Sequence, residues 1–144
     1  MASKVITAQD LAIDLKSGYE VALFKWFIAS FLMGKRIQAD IAAQAYRVIV
    51  DQHGCDTPRK MASQSHRQLV AMLGEAHYVR YDETTATRLT AMSKKLIEEY
   101  AGQIGEIHSR SGSRSGFEKC LAEFDGVGPK TVEIFMREAG EVLY

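Results

Sequence analysis

The residues best suited to chemistry form one short segment, Gly126-Val127-Gly128-Pro129-Lys130-Thr131. Two glycines one residue apart allow a chain reversal that other residues make only with strain. Pro129 suits the first position of a new helix, where its missing N–H costs nothing. A helix that begins there leaves backbone N–H groups without partners beside Lys130, and such groups bind anions. The segment therefore predicts an anion site.

The residues on either side predict two helices that position this segment. Leu121 and Phe124 close an amphipathic turn before it, and Val132, Phe135 and Met136 recur at helical spacing after it. We expect these apolar side chains to pack together. Residues 117–139 are therefore predicted to form two helices joined by a tight hairpin.

This stretch resembles the helix-hairpin-helix motif of DNA-binding proteins, of which Gly-Val-Gly-Pro-Lys-Thr is one of the more specific forms. The resemblance implies that Gly126, Val127 and Gly128 hold a backbone phosphate of double-stranded DNA through their N–H groups. It places Lys130 and Thr131 beside that phosphate. A grip of this kind does not read the base sequence.

The longest apolar stretch predicts a buried central helix. Residues 19–33 carry only Lys25 as a charge after Glu20, and a helix that is apolar on nearly every side is buried. Gly34 is predicted to end this helix. Lys35 and Arg36 then form a basic turn.

The rest of the pattern predicts more helices and no strands, because no run alternates for long with period two. Thr7 and Asp10 resemble a capping box that opens a short first helix ending at Gly18. Thr57-Pro58 opens a short helix, and Ser65 with Gln68 opens another. The helix that begins after Ser65 is predicted to end at Leu73, because Gly74 follows as a stop. Two further helices are predicted over 37–53 and 82–100, and a loop over 109–116. We predict one all-α domain over residues 1–144.

With its helices in this order, the stretch 23–136 resembles the endonuclease III type of DNA glycosylase in the helix-hairpin-helix superfamily, truncated or divergent after the hairpin. The resemblance implies a multi-helix bundle with a base-binding cleft, damaged or abasic DNA as partner, and glycosylase/AP-lyase activity in base-excision repair. Lys130 matches the family's Schiff-base lysine, which attacks the sugar C1′. In other repair proteins the lysine of this motif only contacts phosphate.

The chain departs from this family in residues that support catalysis. After Lys130 there are glutamates but no aspartate of the kind that the family uses, and Gly34-Lys35-Arg36 stands in place of a glutamine-containing turn. Glu133 lies one turn from Lys130, either as a substitute carboxylate or as an ordinary salt-bridge partner. Two alternatives to an enzyme follow. One is a non-catalytic DNA-structure-binding or scaffold module; the other is a subunit or fragment whose aspartate lies elsewhere.

Other basic and aromatic residues are candidates for DNA contact. Lys35 and Arg36 occupy the turn that meets DNA in the resembled family. The further candidates are Arg80, Arg110, Arg114, Tyr78 and Tyr81. Each arginine is otherwise a solvated surface charge, and each tyrosine either stacks on a base or anchors its own loop.

The charge balance requires any DNA grip to be a local patch, since Lys plus Arg and Asp plus Glu both number 18. Cys55 and Cys120 are far apart without a Cys-x-x-Cys pair, so we expect reduced thiols and no metal. The histidines (His53, His66, His77 and His108) are irregularly spaced and predict no shared metal.

Two further classes of protein are disfavoured. No Walker loop or Gly-x-Gly-x-x-Gly follows a strand, so no cofactor is expected. The N-terminal residues carry acids and no long apolar core, and the apolar run near residue 25 is too short for a membrane span. We therefore expect a cytoplasmic protein, nucleoid-associated in a bacterial cell. The sequence carries no signal for an oligomeric state.

Overall fold

A computed structural model describes residues 5–17 and 20–144. In these ranges the chain forms a bundle of α-helices without strands, which confirms the predicted all-α class. The helices are α1 (Glu20–Met33), α2 (Ala39–Tyr46), α3 (Pro58–Ala62), α4 (His66–Glu75), α5 (Asp82–Tyr100), α6 (Ile104–Ser111), α7 (Arg114–Ala122) and α8 (Pro129–Leu143). None of them, over the ranges described, has the length and hydropathy that crossing a bilayer requires.

The predicted first helix is wrong. Thr7 and Asp10 do form the capping box, since the Thr7 N–H donates to Asp10 Oδ2 at 2.9 Å and the Asp10 N–H to Thr7 Oγ1 at 3.2 Å. Two short 3₁₀ turns follow, Gln9–Leu11 and Leu15–Ser17. Ala12 adopts a left-handed conformation with φ 58°, which interrupts any continuous helix between them. A cap alone does not extend a helix.

The central helix is confirmed. α1 spans the predicted apolar stretch, although the expected boundary residues Gly18 and Tyr19 lie outside the described residues. The Trp26 side chain is fully buried, and its Nε1–H donates to the Phe135 carbonyl of α8 at 3.1 Å. The ring of Phe27 meets those of Phe124 and Phe135 edge-on, with centroids 5.4 and 5.8 Å apart. α1 therefore anchors both the hairpin and α8.

The helix predicted over 37–53 changes its winding along its length. α2 continues directly into a π-helical segment, Arg47–Gln52, and Gly54 follows with φ 72°. Ala45, Val48 and Ile49 are buried as expected, and Ile41 is half-buried.

The helices from α3 to α5 match their sequence signals closely. Thr57 caps α3 by accepting from the Lys60 N–H, and Ser65 and Gln68 form a reciprocal capping box on α4. α4 extends to Glu75, two residues beyond the predicted end at Leu73, so Gly74 is inside the helix. α5 has the predicted limits.

The loop predicted over 109–116 is wrong. α6 and α7 cover most of it, and only Gly112 and Ser113 separate the two helices. Gly112 has φ 71°, and the Ser113 Oγ accepts from the Gly116 N–H at 3.0 Å. A glycine stop followed by a serine cap therefore makes a sharp corner within a polar, glycine-rich sequence.

α6 begins under a long-range cap. The carboxylate of Glu20 accepts hydrogen bonds from the N–H groups of Ile104, at 2.8 Å, and Gly105, at 2.6 Å. A Cβ at position 105 would collide with this carboxylate. The start of α1 thus satisfies the free donors of α6.

Removing this cap should destabilise the fold. We expect Glu20→Ala to lower the free energy of unfolding by about 1–2 kcal/mol, because two charge-assisted hydrogen bonds to part-buried N–H groups are lost. Urea denaturation followed by circular dichroism measures the change. Glu98→Ala, an exposed carboxylate of α5, is the matched control and should unfold like the wild type. Equal midpoints for the two variants would contradict the capping role.

Candidate nucleic-acid interface

The two predicted helices are found as α7 and α8, joined by a turn over residues 123–128. The turn is hydrogen-bonded internally, since the Phe124 N–H donates to Leu121 O at 3.1 Å and the Val127 N–H to Phe124 O at 3.0 Å. Gly126 has φ 85°, a conformation that favours glycine. Phe124 and Val127 are buried, so the turn is fixed to the core.

The first turn of α8 presents free donors. Pro129 occupies its first position, and the Val132 N–H is already bonded to the Gly128 carbonyl at 3.1 Å. The N–H groups of Gly128, Lys130 and Thr131 have no acceptor within the described part of the chain. These groups, at the positive end of a helix, are what an anion binds.

Thr131 itself is not at the surface. Its side chain is 2% exposed and packs against Gly34 at the end of α1. A Cβ at position 34 would overlap the Thr131 hydroxyl. The Thr131 hydroxyl is therefore not available for the predicted DNA contact.

Lys35 lies against the hairpin rather than on an open turn. Its Nζ donates to the Gly126 carbonyl at 3.0 Å and lies 5.2 Å from the ring centroid of Phe31. Partial burial lowers the pKa of Lys35, the nearby Arg88 guanidinium lowers it further, and Asp125 opposes both. The structure thus joins two predicted site segments, the basic turn and the hairpin.

Arg88 is a site residue that the sequence did not reveal. It projects from α5 to the hairpin, where its Nε lies 3.7 Å from the Asp125 carboxylate. The Nε atom is shielded from water and has no hydrogen-bond partner, whereas the side chain as a whole is 31% exposed. In the sequence Arg88 occupies an ordinary polar position on α5, and no local signal distinguishes it.

These residues line two adjoining depressions that share Lys35 and Arg88. The depression beside the hairpin has a volume of about 620 Å³, and its charged lining residues are Lys35, Arg88, Lys130, Glu123 and Asp125. A smaller depression of about 300 Å³ shares Lys35 and Arg88 and adds Arg36 and Tyr81. Segments far apart in sequence therefore meet, and we call this surface the hairpin groove.

Lys130 stands exposed at the edge of the hairpin groove. The ordinary salt bridge considered between Lys130 and Glu133 is absent, and no other carboxylate among the described residues pairs with the Lys130 amine. The amine is open to solvent and to a ligand.

The loop before α5 contributes one of its two candidate tyrosines. Tyr78 is fully buried and anchors the loop, whereas Tyr81 is 47% exposed. The Arg80 guanidinium lies 5.1 Å from the Tyr81 ring centroid. Tyr81 lines the smaller depression, whereas Arg80 does not.

Arg110 and Arg114 are not part of the hairpin groove. Arg110 pairs with Glu106 at 2.9 Å and donates to the Glu99 carbonyl at 2.7 Å. Arg114 pairs with Glu118 at 3.2 Å and lines another depression, between α7 and α8, which adjoins the hairpin groove at Gly128 but contains neither Lys35 nor Arg88. Both are occupied within the fold.

The cysteines and histidines form no centre in the described residues. Cys55 is buried, Cys120 is half-buried, and both are free thiols. His53 and His66 pair with the carboxylates of Glu75 and Glu83 at 2.9 and 3.1 Å. No three side chains of His, Cys, Asp or Glu converge in the ranges 5–17 and 20–144.

No family model, curated protein or solved structure matches this chain. The interpretation of the hairpin groove therefore depends on its own residues.

Proposed function

We propose that this protein binds the backbone of double-stranded DNA, with the hairpin and the first turn of α8 as its phosphate-holding element. One observation carries the proposal: Lys35, Arg88 and Lys130 line the same groove as the free N–H groups at the start of α8. Cations and backbone N–H groups contact phosphate and position a duplex without reading its sequence. The zero net charge fits a local grip rather than a coating of the duplex.

The experiment is a salt titration of duplex binding, followed by fluorescence anisotropy with a labelled oligonucleotide. The logarithm of the affinity should fall linearly with the logarithm of salt concentration, with a slope magnitude of about 2–4 for two to four neutralised phosphates. Unrelated sequences should bind alike. Absence of salt-dependent binding at low ionic strength would reject the proposal.

The resemblance to base-excision-repair glycosylases suggests lyase activity in addition to DNA binding. In this reaction the Lys130 amine attacks C1′ of an abasic sugar, an imine forms and water leaves. Borohydride would reduce that imine to a stable amine, and the covalent adduct should disappear in Lys130→Ala. The exposure of Lys130 and the lack of a paired carboxylate favour the alternative, a non-catalytic DNA-structure-binding or scaffold module. That alternative predicts duplex binding without an adduct.

The pH dependence of binding tests the position of Lys35. Its pKa is lowered from 10.5 by burial and by Arg88, so it loses its charge at a lower pH than a free lysine. Only the charged amine attracts phosphate, so affinity should begin to decline below pH 10.5 as the solution is made more alkaline. Anisotropy at constant ionic strength, measured from about pH 7 upward, follows the decline.

The control for the pH experiment is Lys35→Arg, which remains charged throughout this range. Its affinity should stay flat where that of the wild type falls. Identical profiles for the two proteins would show that Lys35 does not contribute its charge to binding.

A further inference from the structure

We propose that Arg88 and Lys35 together form a seat for one phosphate group, beside the backbone N–H groups of α8 but separate from them. We call it the Arg88–Lys35 seat. This inference rests on the proposed function in one respect, namely that the phosphate belongs to the DNA backbone. A free phosphate ester has the same chemistry and could bind in the same place.

Both cations are positioned by the same glycine turn. The Lys35 Nζ is bonded to the Gly126 carbonyl at 3.0 Å. The Arg88 side chain runs along the Cα of Gly126 so closely that a Cβ there would be 2.5 Å from Arg88 Cδ and 2.9 Å from its Nε. Gly126 is thus the point where the two side chains, from different helical segments, come together.

The pair is electrostatically incomplete as it stands. Two positive charges near each other disfavour one another, and Arg88 accordingly lowers the pKa of Lys35. The nearest compensating charge of Arg88 is Asp125, at 3.7 Å and with a side chain 71% exposed. Arg88 Nε is also shielded from water and makes no hydrogen bond, so the fold leaves part of the cost of burying this guanidinium uncompensated.

A backbone phosphate can bind to both groups at once. Its two non-bridging oxygens share one negative charge and each accepts more than one hydrogen bond, so the planar guanidinium can donate to both oxygens while the ammonium approaches one of them as a point charge. A free phosphate ester adds a third terminal oxygen. The groove beside the hairpin, about 620 Å³, is large enough to admit a phosphate with its attached sugar.

The Asp125 carboxylate competes weakly with phosphate for Arg88 and Lys35. Its carboxylate faces Arg88 across 3.7 Å without forming a hydrogen bond, and it raises the pKa of Lys35. A bound phosphate would have to displace or repel it. Removing the charge of Asp125 should therefore improve phosphate binding, a gain that a purely structural role for Arg88 does not predict.

The test uses three variants of the full chain: Arg88→Gln, Asp125→Asn, and the control Arg67→Gln, an exposed arginine of α4 away from the groove. For duplex DNA, Arg88→Gln should weaken binding about tenfold and reduce the salt slope by about one. Asp125→Asn should strengthen binding at low salt, because it removes a negative charge that competes with phosphate. The gain should be only about threefold, since an exposed charge is partly screened. Arg67→Gln should match the wild type.

A second arm uses inorganic phosphate, monitored through the arginine Nε–H signals in NMR spectra. Phosphate should shift the Arg88 signal, and Asp125→Asn should shift it at lower phosphate concentration. If phosphate binds in this way but no duplex does, the Arg88–Lys35 seat stands and the proposed DNA function fails.

The converse outcome overturns the inference alone. If the duplex binds to Arg88→Gln with the wild-type salt slope, the seat is wrong and the hairpin can still hold DNA. An Asp125→Asn protein that binds no more tightly than the wild type also overturns it. Misfolding lowers affinity and so cannot imitate the expected gain, and circular dichroism of Asp125→Asn separates a missing gain from a folding defect.

Discussion

Gly128→Ala is expected to weaken duplex binding about tenfold or more while leaving the fold as stable as the wild type, because close backbone approach to a ligand is what glycine permits. A Cβ at this position would meet no protein atom within 4 Å, and its φ of −101° is accessible to alanine. Any penalty must therefore come from the ligand. Anisotropy gives the affinity, and thermal denaturation gives the stability.

Gly126→Ala is the internal comparison. Its φ of 85° strains any side chain, and its Cβ would press on Arg88 and lie 3.2 Å from the Phe31 ring. We expect it to lose both binding and about 1–3 kcal/mol of stability. The two neighbouring glycines should thus separate ligand contact from turn geometry. Wild-type binding by Gly128→Ala would show that the duplex does not approach the hairpin there.

The second large effect is expected at Gly34, which follows the last residue of α1 and packs against Thr131 in the first turn of α8. An added Cβ would overlap the buried Thr131 hydroxyl and lie 3.2 Å from the Ser30 carbonyl and 3.3 Å from the Thr131 Cα. Relief requires moving the start of α8, and overpacking of this kind costs about 1–3 kcal/mol. Gly34→Ala should lower the urea midpoint accordingly.

Two proteins sharpen the Gly34 experiment. Gly74→Ala places the same methyl group inside α4 with no atom within 4 Å, and should be neutral or stabilising by up to about 1 kcal/mol. Gly34→Ala combined with Thr131→Ala should recover part of the loss, because the overlapping hydroxyl is gone. Additive losses in the double variant would contradict the proposed overlap.

The features that the sequence predicted correctly are those with local causes. The apolar run of α1, the caps Thr57 and Ser65 and the Gly126-to-Pro129 turn each carry their own signal, and each is found at its expected place. Where a cause is distant, prediction failed. α6 begins where Glu20, 84 residues earlier in the chain, supplies acceptors, and nothing near Ile104 announces this.

The residues of the hairpin groove also differ in whether their causes are local or distant. Lys35 was predicted from its position after the central helix, but its hydrogen bond to Gly126 spans 91 residues and requires the fold. Arg88 was missed because its environment is created only when α5 packs beside the hairpin. Thr131 was predicted from the motif as a contact, yet it is buried against Gly34, a neighbour that only the fold provides.

The hydrogen bond from Trp26 to the Phe135 carbonyl bears on whether the hairpin would keep its structure outside this protein. Together with the contact between Gly34 and Thr131 and the hydrogen bond from Lys35 to Gly126, it means that α1 and the residues just after it hold the turn and α8 in place. A peptide limited to α7 and α8 would lack all three supports. Grafting the hairpin onto another scaffold would therefore require moving α1 and the basic turn after it together with α7 and α8.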